Sequence, residues 1–107
     1  LHSGHGTALL HTTTQQSLVK ELMLNAIPLR LEPSVPFDDK GGKLDCGYRL
    51  DLLVDETLIV ELKAVDQITG LHQAHLMTYM KLSKVSLGLL INFNVTRLVD
   101  GVKRMRV

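Results

Sequence analysis

Tryptophan is absent from the sequence, and the aromatic complement is Phe37, Phe93, Tyr48 and Tyr79. An extended stacking platform for single-stranded nucleic acid needs more rings than that. Cysteine occurs once, as Cys46, so no internal disulfide framework can substitute for a core. Cys46 has no base beside it in Lys43-Leu44-Asp45-Cys46-Gly47, which predicts a packed thiol and not a nucleophile. A lone thiol fits a reducing, cytoplasmic setting. No apolar run approaches the ~20 residues of a membrane span, and the N-terminus lacks a basic-then-apolar leader, so no membrane partner is expected. Charge of one sign is also missing: 12 basic and 11 acidic residues leave a formal net charge of +1. That balance neither demands nor excludes a polyanionic partner. Lys81, Lys84, Lys103, Arg104 and Arg106 could supply a local basic patch, although each taken singly is more simply a solvated side chain. The chain starts at Leu1 and not at Met, as expected of a sequence whose N-terminus has been trimmed.

What is present suffices for one core. Hydrophobic residues make up 45% of 107 residues, an ordinary globular proportion, and a single domain over 1–107 is expected. Residues 1–7 are polar and read as loose. Residues 8–26 predict a helix with a stripe at Leu10, Thr14, Leu18 and Leu22 and a C-cap at Asn25. Pro28, Pro33 and Pro36 push a strand at Leu29–Val35 to a sheet edge. One strand is predicted from Leu44 to Val54, with a bulge at Gly47, and its return from Leu58 to Val65. A helix follows from Leu71 to about Ser83, then strands at Val85–Phe93 and Val102–Val107. The order helix-strand-strand-strand-helix-strand(-strand) is that of a small α/β domain with a mixed sheet: a meander and then a helical crossover.

Asp51, Glu61 and Lys63 interrupt the two apolar runs Leu50–Val54 and Leu58–Val65. A charge inside a buried strand is costly unless it is paired or holds an ion. Strand alternation sends Glu61 and Lys63 to one face. A two-residue turn at Asp55-Glu56 would send Asp51 to the other face, whereas a three-residue loop, Asp55-Glu56-Thr57, sets Asp51 opposite Glu61. The odd-length loop is the expected one. Two carboxylates on one patch then make a hard-oxygen site for Mg²⁺ or Mn²⁺, beside an ammonium able to orient a water or stabilise phosphate charge. The plain alternative is an ion pair at a sheet rim. The apolar setting of the charges and the placing of Asp51 one strand upstream favour the site.

Four blocks, Tyr48–Val54, Ile59–Ala64, Leu71–Leu82 and Gly88–Asn94, resemble the GxxExxY (GxxExxR) family of the PD-(D/E)XK nuclease-like superfamily. The resemblance runs from about Gly6 to the C-terminus and is strongest from Asp45 to Asn94. It implies a restriction-endonuclease-like fold and a metal-dependent nuclease that hydrolyses DNA phosphodiester bonds. It implies Asp51 and Glu61 as metal ligands with the Leu62 backbone carbonyl, and Lys63 as the catalytic lysine. The sequence departs from the family twice. Ala8, His11 and Thr14 stand where the naming motif has Gly, Glu and Tyr, so His11 offers an imidazole in place of a carboxylate. His75 replaces a glutamine, while Tyr79 is retained. His11, His75 and Tyr79 are therefore candidates to support the site or position substrate. The same departures also fit a catalytically weak nucleic-acid-binding or regulatory module.

His72, His75 and Tyr79 share one helix face. A zinc site there lacks the glutamate of a His-Glu-x-x-His motif, so positioning is preferred to zinc. For His72 alone, a polar helix edge is preferred to both. His2, His5 and His11, taken together, read as loop or tag residues sooner than as a ligand set. The breadth of apolar positions on this helix (Leu71, Ala74, Leu76, Met77, Met80, Leu82) is compatible with a homodimer as well as with burial on the sheet.

Overall fold

The computed structural model describes the backbone of residues 4–39 and 42–107, and the side chains of 9–35, 48–97 and 99–107. Cys46, His2, His5 and Ala8 therefore lie outside the described side chains. The elements in order are α1 (Gly4–Leu24), β1 (Leu29–Leu31), β2 (Ser34–Asp39), β3 (Gly42–Arg49), β4 (Leu52–Val54), β5 (Leu58–Lys63), α2 (Gly70–Ser83), β6 (Leu87–Asn92) and β7 (Val102–Arg106), with a 3₁₀ turn at Leu98–Gly101. Five strands form one sheet in the order β1-β4-β5-β6-β7, and β2 and β3 form a separate ribbon. Neighbours in the larger sheet are antiparallel except β5 and β6, which α2 joins as a parallel crossover. This is an α/β domain with a mixed sheet, as expected, and β1 lies at its edge.

The core has two layers. Leu50, Leu53, Ile59 and Leu90 face α2, where Leu76 and Met80 are fully buried. Leu52, Val54, Val60 and Leu62 face the other way and pack with Leu18, Val19 and Leu22 of α1. Strand alternation thus puts Glu61 and Lys63 on the α2 side. Gly88 lets α2 approach closely: a Cβ there would meet the Met80 sulfur at 2.8 Å.

Several boundaries differ from expectation. Residues 4–7 are helical and not loose. The expected stripe on α1 holds at Leu18 and Leu22 but fails earlier, where Leu10 is exposed and His11 and Gln15 turn inward instead. They do so because polar partners on the sheet satisfy them, which offsets the cost of their burial. Asn25 does end α1, and Ala26 follows with φ of 55°. The N–H of Ala26 bonds the Met23 carbonyl and that of Ile27 the Leu22 carbonyl, the double bond of a Schellman ending. The strand expected at Leu29–Val35 splits into β1 and β2 at Glu32, where φ is 52°.

The strand expected at Leu44–Val54 is also two strands, β3 and β4, broken at Leu50–Asp51. The break occurs where Asp51 leaves the sheet ladder to bond a carboxylate. A register shift between Ser34 and Pro36 leaves Cys46, Gly47 and Tyr48 facing one residue of β2, an irregularity at the expected bulge. The strand expected at Val85–Phe93 is shortened because the Val85 N–H still bonds the Met80 carbonyl of the helix exit.

Candidate active site

The β4–β5 connection has the odd length that the charges require. Leu52, Leu53 and Val54 pair with Val60, Ile59 and Leu58, so Asp55-Glu56-Thr57 is a three-residue loop. Asp55 and Glu56 both take positive φ, and the Thr57 N–H bonds the Val54 carbonyl to close the turn. Extending that register by one residue sets Asp51 opposite Glu61. There the ladder gives way to a reciprocal exchange. The Asp51 N–H donates to Glu61 Oε1 at 3.0 Å, and the Leu62 N–H donates to Asp51 Oδ2 at 2.7 Å. Since N–H and C=O of one strand residue point to the same neighbour, the Leu62 carbonyl faces the same gap.

The two helices complete the surroundings. From α1, His11 Nε2 lies 3.3 Å from Asp51 Oδ1, and Gln15 donates to the Asp51 carbonyl at 3.2 Å. From β3, the Tyr48 hydroxyl donates to Glu61 Oε2 at 2.6 Å. The Tyr48 ring stacks on Tyr79 of α2, with centroids 4.1 Å apart and planes 14° from parallel. His75 stands tilted against Tyr79 at 6.2 Å. Glu61, Lys63, His75, Tyr79, Tyr48 and His72 line one cleft of about 50 Å³. Asp51, Glu61, Lys63, His11, His75 and Tyr79 thus occupy one locality spanning α1, the sheet and α2.

The electrostatics follow from burial. Glu61 is 2% exposed. Desolvation pushes its pKa up, and the Asp51 charge adds to that; the bonds from Tyr48 and Asp51 and the charge of Lys63 oppose it. The Tyr48 phenol is raised as well, first by burial and then by its bond to Glu61, so it stays a neutral donor. Among the described residues, neither carboxylate has a lysine or arginine within ion-pair distance. Two acidic groups close together without a strong counter-charge are a donor set suited to a hard divalent cation. Each carboxylate oxygen keeps acceptor capacity beyond its one protein bond. Among the described residues, no group of three His, Cys, Asp or Glu side chains is arranged to hold an ion, so a cation here would rely on Asp51, Glu61, the Leu62 carbonyl and solvent.

His72 does what the plain reading expected. Its Nδ1 accepts the Thr69 N–H at 3.0 Å, and its N–H reaches the Thr69 hydroxyl, closing a capping box at the start of α2. The expected basic patch is divided. Arg104 and Arg106 line a groove with Leu58 and Leu87 on the α1 side, while Lys103 borders a cavity on the α2 side.

Three residues were missed by sequence reasoning. Gln15 follows His11 by four, so helical spacing alone could have paired them. Tyr48 carried no signal beyond its ring, because the ribbon that delivers it is a tertiary feature. Asn92 ends the apolar run of β6, and its Cα partner is Lys63. Its buried amide accepts the Val65 N–H at 3.1 Å and donates to the Val65 carbonyl at 2.8 Å, clamping the exit of β5.

No curated protein and no solved structure matches the chain. A family model does: that of the PD-(D/E)XK nuclease superfamily, over residues 1–105. Aligned over nearly its whole length, and folded as a mixed sheet between two helices with Asp51 just before β4 and Glu61 and Lys63 on β5, this chain belongs to the PD-(D/E)XK nuclease superfamily.

Proposed function

We propose that this protein is a metal-dependent nuclease that hydrolyses phosphodiester bonds of DNA. The observation that carries the reading is the reciprocal pair at Asp51 and Glu61, with Lys63 two residues on and on the same strand face. Asp51, Glu61 and the Leu62 carbonyl would hold Mg²⁺ or Mn²⁺, the class of cofactor that nucleases of this superfamily generally use. When bound, such an ion activates a water and neutralises phosphate charge.

The remaining work falls to the chain's own side chains. The Lys63 ammonium, which makes no hydrogen bond or ion pair among the described residues, would orient the attacking water or stabilise charge on the phosphate. His11 and the Leu62 N–H hold Asp51 in its orientation, and Tyr48 and the Asp51 N–H do the same for Glu61. His75 and Tyr79 line the cleft where a sugar-phosphate would lie. The test is cleavage of linear and plasmid DNA with Mn²⁺ or Mg²⁺. Activity is expected to vanish on chelation and to fall at least about 100-fold in Lys63→Ala and Asp51→Ala, with circular dichroism showing both variants folded. Wild-type protein that never cleaves would sink the reading.

A second reading is a nucleic-acid-binding module without turnover. The observation favouring it is the imidazole of His11 beside Asp51, where the resemblance leads one to expect a carboxylate. It predicts binding that weakens steeply with salt and no cleavage under any divalent ion.

A further inference from the structure

A cavity lies beside the acidic pair and not in it. It holds about 300 Å³, at the lower end of the range for small-ligand sites. It opens beyond the carboxyl ends of β5 and β6, where ligands of parallel strand pairs characteristically bind. We propose that this cavity is a nucleobase pocket that takes one unpaired base with an exocyclic amino group, in preference to thymine, of a strand whose phosphate lies in the Glu61–Lys63 cleft. The proposal rests on the nuclease reading for its strand and on the cavity itself for its base.

The first argument is position. Asn92 forms part of the cavity wall, and its Cα partner across the sheet is Lys63. At the start of α2, His72 lines the cleft and the next residue, Gln73, lines the cavity. The two recesses are therefore adjacent, meeting at neighbouring residues of α2 and at one strand pair, so a nucleotide adjoining the phosphate can reach in.

The second argument is the lining. Ile68 and Val102 offer apolar surface against which a flat ring can lie. Gln67 and Gln73 each bring an amide with both a donor and an acceptor, Asp66 brings an acceptor and Lys103 a donor. The carboxylate of Asp100 is already engaged by the Arg97 guanidinium at 3.1 and 3.2 Å. Asp66 and Lys103 then balance, so the cavity has no excess positive charge with which to hold a phosphate. A neutral ring edge that alternates donor and acceptor fits this set. Carboxylates accept from the cytosine amino group and glutamine amides pair with adenine, whereas thymine offers no amino group. A paired base keeps its edge inside the duplex, so the pocket selects single-stranded or extruded nucleotides.

The test is a ¹⁵N–¹H titration of the metal-free full chain with deoxycytidine, deoxyadenosine and thymidine, none of which carries a phosphate. Saturable shifts are expected at the side-chain amides of Gln67 and Gln73 and at the Val102 N–H, with thymidine weaker by about ten-fold. Gln73→Ala should weaken deoxycytidine by a similar factor and leave Mn²⁺ binding unchanged, and Asp66→Asn serves the same end should the first variant not fold. Absence of saturable shifts, equal affinity for thymidine, or shifts centred on the cleft instead would overturn the pocket. Lost nucleoside binding with intact Mn²⁺-dependent cleavage removes the pocket alone. Nucleoside binding without cleavage keeps the pocket and removes the nuclease reading.

Discussion

Glu61 sits 2% exposed beside Asp51, and burial and that neighbouring charge both favour its neutral form. Its folded pKa therefore lies above the ordinary 4.5. Between those two values the folded state keeps a proton that the unfolded chain has released. Stability then falls as pH rises through that window, and the whole cost is present above it. In metal-free protein, calorimetry should show the melting temperature of Glu61→Gln standing above wild type at neutral pH, with the difference shrinking as pH drops toward 4.5. Mg²⁺, which favours the ionised carboxylate, should raise the wild-type midpoint at neutral pH and leave that of Glu61→Gln nearly unmoved. Parallel pH profiles for the two proteins would refute the burial argument. At this scale the apposition of Asp51 and Glu61 was legible, because charges inside apolar runs are costly and an odd-length loop sets the two residues opposite each other. Tyr48 was not, because nothing in its neighbours along the chain announces a partner thirteen residues away.

At the scale of elements, the two helices are secured differently at their ends. α1 finishes through Ala26, a non-glycine residue at φ of 55°. Replacing it with glycine relieves the Cβ strain of that conformation, so Ala26→Gly should stabilise the fold by about 1 kcal/mol. α2 begins with the Thr69 hydroxyl capping the His72 N–H, and Thr69→Ala should cost about 1 kcal/mol. Urea midpoints for the two variants should move in opposite directions. The extent of α2 was legible from its apolar positions and the glycine at its start. The inner face of α1 was not, since periodicity ranks residues by hydrophobicity and could not know that His11 and Gln15 would meet Asp51. The single strand expected at Leu44–Val54 failed for a related reason. Leu50 to Val54 read as one apolar run, and the break comes from the bond between the Asp51 N–H and the Glu61 carboxylate.

For the whole molecule, the junction that matters joins β6 to the β5–α2 crossover. Asn92 holds both backbone groups of Val65, and its own carbonyl lies against Gly101, where an added Cβ would stand 2.0 Å away. Asn92→Ala would leave the Val65 N–H and C=O without these partners, costing about 2–3 kcal/mol and the slow hydrogen exchange of the Val65 amide. Gly101→Ala should destabilise at least as much, because the clash is with backbone that cannot rotate away. A Val65 amide that stays protected in Asn92→Ala would show that the crossover is held by other contacts.

Several features were settled by the order of residues alone: a mixed α/β domain, a hairpin of odd length, and the facing of Asp51 and Glu61 across it. These depend on alternation, loop length and the cost of stranded charge, all of which act over a few residues. The packing of distant segments decided the rest. It brought His11 to Asp51 and Tyr48 to Glu61, gave Asn92 its grip on Val65, and opened a cavity beyond the strand ends. Such contacts join residues far apart in the chain, and their energy exists only once two helices have closed on the sheet.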